Sequence, residues 1–197
     1  MIKMYDNTTG HVVADFDGKL MLLDTGAAKT FYDEYQGVRI QDLCRMLGLP
    51  LDGVLGMDSL QGRVLTLTRE TIHLNGVPPD REGAPLNYIS GIPCGDIKIN
   101  EIPCRAAIRT GVTASYISEE LISKHKLTKT VNESHPFYGG FSVKMYVNYF
   151  RISDKSYFAD AGELPAEFAS LSSASVDAII GTDVLNRFDM VMDFTDN

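Results

Sequence analysis

An apolar run, "LLDTGAAKTF" at residues 22–31, delivers one carboxylate, Asp24, onto a Thr25-Gly26 turn. Eighty-five positions later (24 to 109) the chain repeats the pattern as "AIRTGVTASY", with Arg109 in the place of the carboxylate and Thr110-Gly111 behind it. A carboxylate accepts hydrogen bonds and can take a proton from water. A guanidinium stays protonated at any working pH and offers donors only. The two turns therefore keep their Thr-Gly frame and carry opposite charges at the one position able to do chemistry.

Other reactive side chains read as structural. Asp58 and Asp183 open the segments "DSLQ" and "DVLN" in the manner of helix N-caps. His73, His125 and His135 are scattered without metal-ligand spacing. Cys44, Cys94 and Cys104 show no such spacing either. Their odd number fits a reducing compartment, and buried free thiols are favoured over a Cys94–Cys104 bridge across one hairpin. No cofactor or metal is expected.

The elements that position the two turns come next. "HVVADFDGKLMLLDTGA" reads as two strands joined at Asp17-Gly18, a dipeptide suited to a tight hairpin. "CGDIKINEIPCRAAIRTGV" repeats the plan with Asn100-Glu101 at the bend. Beyond each turn, Thr30-Phe31 matches Ser115-Tyr116 and Glu34 matches Glu119. A second block, "DGVLGMDSL" (52–60), recurs as "DAIIGTDVL" (177–185), identical at Asp52/Asp177, Gly56/Gly181, Asp58/Asp183 and Leu60/Leu185. This is an internal duplication. The larger offset leaves the second half with an insert, "NESHPFYGGFSVKMYVNYF", whose Gly139-Gly140 between aromatic-rich flanks predicts a long β-hairpin. Short helices are predicted at 41–49 and 118–127. Residues 75–95, crowded with Gly and Pro, are expected to connect the halves.

The bulk numbers set the outer bounds. A chain of 197 residues that is 44% apolar can bury a real core as one domain or two small lobes. A net charge of -8 argues against nucleic acid or an anionic membrane surface as the partner. No run reaches the roughly 18 apolar residues of a membrane span, and the first residues lack a signal-peptide core. The expectation is a cytoplasmic protein, or a periplasmic or secreted one if a leader has been removed.

An apolar strand ending in Asp-Thr-Gly, followed by two aliphatic residues and a Gly ("VLG", "IIG") and then Asp-x-x-Leu, resembles the half-site of the pepsin and retropepsin aspartic peptidases. The resemblance covers most of the chain, because both halves carry both blocks. It implies a mainly β acid-protease fold with two pseudo-symmetric retropepsin-like lobes in one chain: 1–74, a connection at 75–95, and 96–197. By resemblance, Asp24 occupies the first catalytic position and Arg109 the second. Thr25, Gly26, Thr110 and Gly111 are the scaffold at the axis, with the threonines hydrogen-bonded across it. Only the second half has room for a flap, at about 133–150, with Tyr138, Gly139, Gly140 and Phe141 near its tip.

In that family two neighbouring carboxyls share one proton, so that one activates water while the other protonates the carbonyl oxygen. Arginine supplies neither role and would hold Asp24 in a salt bridge at the axis. The favoured reading is a monomeric pseudopeptidase that holds an extended peptide or partner segment in the cleft. Two alternatives remain: an active peptidase whose second carboxylate comes from another chain or a nearby acid, and an interaction domain with a vestigial cleft.

Overall fold

The computed structural model describes residues 2–4, 9–68, 70–75, 84–122, 127–135, 139–165, 175–187 and 189–195. The fold is mainly β. The first half holds β1 (Ile2–Lys3), β2 (Val13–Phe16), β3 (Lys19–Leu23), β4 (Glu34–Tyr35), β5 (Val38–Arg39), α1 (Ile40–Leu47), β6 (Gly53–Leu55), α2 (Met57–Leu60), β7 (Val64–Leu67) and β8 (Thr71–Leu74). The second holds β9 (Leu86–Ile89), β10 (Ile92–Ile99), β11 (Ile102–Ile108), β12 (Tyr116–Ile117), β13 (Leu127–His135), β14 (Gly139–Ile152), β15 (Lys155–Glu163), β16 (Ala178–Ile180), α3 (Thr182–Leu185) and β17 (Met190–Asp193).

The two halves share one plan. In the first, the β2–β3 hairpin turns at Asp17 and Gly18, both at positive φ, and β6 joins β3 in parallel before α2 begins. In the second, β10 and β11 turn at Asn100 and Glu101, again at positive φ, and β16 joins β11 in parallel before α3. Inside β3 the apolar run is continuous because both faces are covered. Met21 and Leu23 enter the main core with Ile108, Ile180 and Phe194, while Leu22 packs under α1 with Val38, Leu43 and Val54. Helix α1 presents Ile40, Leu43, Cys44 and Leu47 to that second cluster and stops at Gly48, whose left-handed backbone returns an N–H to the Cys44 carbonyl.

The second-block glycines are set by space. Gly56 and Gly181 have ordinary negative φ. A Cβ on Gly181 would fall 2.7 Å from the Ala114 carbonyl oxygen, and one on Gly56 2.5 Å from the Lys29 carbonyl carbon. Backbone cannot swing aside as a side-chain end can. Gly181→Ala is therefore expected to destabilise the protein by about 2 kcal/mol, in the range of an overpacked core, read as a lower urea midpoint with unchanged slope.

The halves meet in a four-stranded sheet ordered β1-β8-β7-β17. Strands β7 and β17 are antiparallel, and Thr66 faces Val191. At the offset that maps Asp52 onto Asp177, Val191 is the counterpart of Thr66, so this pair marks a local two-fold. The other large sheet runs β13-β14-β15-β12-β16-β11-β10-β9.

Three local expectations meet the described residues only in part. Residues 75–95 are not simply a connection, because β9 and the opening of β10 lie there, folded together at Ser90 and Gly91 (φ 53° and 79°). Of the helix predicted at 118–127, the described residues hold one 3-10 turn, Glu119–Leu121, and 123–126 lie outside the described residues. Leu121 and Ile122 are both buried by that turn, Ile122 is already extended, and Leu127 opens β13. Gly139 (φ 74°) and Gly140 lie at the start of β14 opposite His135 and Ser134, and residues 136–138 lie outside the described residues. Among the described residues no helix is long and apolar enough to cross a membrane.

Candidate functional site

Each turn hangs from the strand that its half adds in parallel. The Asp24 N–H donates to the Leu55 carbonyl and the Arg109 N–H to the Ile180 carbonyl, both at 3.0 Å. Between the turns, the Thr25 N–H donates to Thr110 Oγ1 and the Thr110 N–H to Thr25 Oγ1, both at 3.1 Å. The hydroxyls then donate onward, Thr25 to the Ile108 carbonyl at 2.6 Å and Thr110 to the Leu23 carbonyl at 2.7 Å. Both threonines are fully buried, so these four bonds satisfy groups that water cannot reach.

This lock sets Asp24 and Arg109 side by side, each resting on the other turn's glycine. A Cβ on Gly26 would fall 2.1 Å from Arg109 Nε, and one on Gly111 2.2 Å from the Asp24 carboxyl carbon. Neither glycine has positive φ, so both are required by this close approach rather than by a tight bend. The expected salt bridge does not form. Among the described residues no ion pair within 4 Å joins the two side chains. Asp24 Oδ1 instead accepts the Gly26 N–H at 2.7 Å, and Arg109 Nε is buried with no acceptor.

Both side chains line a cavity of about 410 Å³. Its first-half wall includes Phe31, Val38, Leu43, Met46, Leu47 and Val54, and its second-half wall includes Ile92, Val112 and Tyr116. Of the flap candidates, Phe141 lines the cavity, with its ring centroid 6.3 Å from that of Tyr116. Gly139 and Gly140 are exposed on β14, and Tyr138 lies outside the described residues. Glu133, opposite Phe141 on β13, lines the same cavity, and burial pushes its carboxyl above the usual range.

His11 and Glu133 had not been singled out in the sequence. The β2–β3 register, carried one step past Leu23 and Val12, puts His11 directly across from Asp24. The same step in the second hairpin puts Ile92 across from Arg109. His11 Nδ1 lies 2.9 Å from Thr9 Oγ1. Burial lowers the His11 pKa from 6.5, partly opposed by the Asp24 charge. The folded protein thus holds His11 neutral at a pH where the unfolded chain would protonate it. The corresponding stability is fully present above about pH 6.5 and is lost as the pH falls below it. In an NMR titration the His11 midpoint should lie below that of an ordinary histidine. It should fall further in Asp24→Asn, which removes the Asp24 charge that favours the imidazolium.

Asp58 and Asp183 are structural, but not as N-caps, since Gly56 and Gly181 cap the two short helices. The Asp58 carboxylate accepts from the Thr30 N–H and hydroxyl at 2.7 and 2.8 Å. Asp183 accepts from the Ser115 N–H and hydroxyl at 3.1 and 2.7 Å. The hydroxyls in turn accept the Gly56 and Gly181 N–H groups, both at 3.0 Å. All three cysteines are free, and burial pushes the Cys104 thiol up to about 12. Among the described residues no cluster of His, Cys, Asp or Glu could hold a metal ion.

A scan of protein-family models and a search of curated proteins each found no match to this chain.

Proposed function

We propose that the chain folds as two retropepsin-like lobes around one cleft and acts as a pseudopeptidase, binding an extended peptide or partner segment without cutting it. The observation that carries the reading is the reciprocal threonine lock, which holds a carboxylate and a guanidinium where two shared-proton carboxyls would be needed for hydrolysis. The matched hairpins and the Thr66–Val191 pair support the two-lobed arrangement. Each half takes the other as its partner, so the protein acts as a monomer; a dimer in light scattering would count against this. In a mixed peptide library the unmodified protein should retain peptides and return them intact from acid to neutral pH. Cleavage that disappears in Asp24→Asn would overturn the proposal.

One observation favours an active enzyme as the second reading. Glu133 lines the same cavity as Asp24, and burial pushes its carboxyl above the usual range, the direction a proton donor requires. Under that reading, cleavage by the unmodified chain would be lost in Glu133→Gln as well as in Asp24→Asn.

A further inference from the structure

We infer that the occupant of the cleft presents a carboxylate to Arg109. This rests on the peptide-binding reading and adds the chemical group by which the peptide is held. Among the described residues lining the cavity, Arg109 alone carries a fixed positive charge. A guanidinium has five N–H donors and no acceptor. Here Nε is buried without an acceptor, and no carboxylate of the described residues lies within 4 Å of the group. Nε lies against Gly26, while Arg109 as a whole is only half-buried, so its terminal N–H groups are the ones open to an incoming anion.

The neighbouring acids leave the position open. Asp24 directs Oδ1 to the Gly26 N–H and rests on Gly111. Glu133 is biased by burial toward its neutral form, which weakens its repulsion of a second carboxylate. A backbone carbonyl would accept from the guanidinium but bring no countercharge. A carboxylate accepts two parallel bonds and supplies the charge as well. The apolar side chains of Phe31, Leu43, Leu47 and Val54 line the same cavity, and apolar walls lessen the screening of a pairing made beside them. Two sources offer this group, a peptide's C-terminus and an Asp or Glu side chain.

The test uses the full chain and fluorescein-labelled octapeptide libraries in three forms: free acid, C-terminal amide, and amide with one central position fixed as Asp/Glu or as Asn/Gln. Fluorescence polarisation should show the free acid bound about tenfold or more tightly than the amide, or the Asp/Glu amides over the Asn/Gln amides by a similar factor. The first result identifies a C-terminal anchor and the second a side-chain one. Arg109→Gln should abolish the preference and Arg109→Lys should keep part of it. Equal binding of all three forms by the unmodified protein overturns the carboxylate anchor and leaves the peptide-binding reading standing. Binding of none overturns both. The comparison among libraries requires no variant, and a preference that survives in folded Arg109→Gln shows that another group holds the anion.

Discussion

Thr110→Val is expected to lower the stability of the protein by about 3 kcal/mol, the sum of two orphaned buried groups at roughly 1–3 kcal/mol each. Valine keeps the shape but removes the hydroxyl that donates to the Leu23 carbonyl and accepts the Thr25 N–H. Both losses fall where no water can enter, since both threonines are fully buried. Thr25→Val should lose about the same, because the network is reciprocal. Each hydroxyl makes its own two bonds and none is shared, so any departure of the double variant from the sum of the two measures the coupling between the turns. Urea denaturation measures all three. A loss below about 1 kcal/mol for either single variant would mean that the hydroxyls do not hold the turns together.

On the pseudopeptidase reading, Arg109→Asp is expected to confer peptide hydrolysis at acid pH. The substitution sets a second carboxyl beside Asp24, at turns already held by the threonine lock. The pair must then share a proton and titrate in two separated steps. With one group as base and the other as acid, cleavage should rise about a hundredfold over background, the lower end of what general acid–base catalysis supplies. A larger gain is not expected, because the cleft is shaped around arginine and misplacement by about one ångström can forfeit a hundredfold. Activity should fall toward neutral pH as the shared proton is lost, and should vanish in the double variant with Asp24→Asn. Incubation of the peptide library with each protein, read by mass spectrometry, decides it. Failure of the folded variant to cleave at any pH would show that the aligned turns do not suffice.

The parts of the site legible in sequence are those written as short, repeated words. Asp-Thr-Gly and Arg-Thr-Gly announce two equivalent turns, and the pairing of Thr25 with Thr110 follows from that equivalence. His11 was harder to find because its relation to Asp24 runs across a hairpin rather than along the chain. The signal was nonetheless present: counting outward equally from the Asp17-Gly18 bend reaches His11 on one side and Asp24 on the other. Glu133 could not be placed until the register of β13 on β14 was known, because its place in the cavity depends on which residue of β14 it faces. The crossed packing of Arg109 over Gly26 and Asp24 over Gly111 had no sequence signature, because charge alone predicts an ion pair.

The β7–β17 pairing has a kinetic consequence. During synthesis β7 leaves the ribosome long before β17, its partner on one side in the four-stranded sheet. Until β17 arrives, the edge bearing Val64 and Leu65, both buried in the finished protein, is unpaired and open to any passing strand. Closing that edge brings together residues far apart in sequence, a slow event by comparison with forming either hairpin. The nascent protein is thus most prone to aggregation when its first half is nearly complete and its second is still being made.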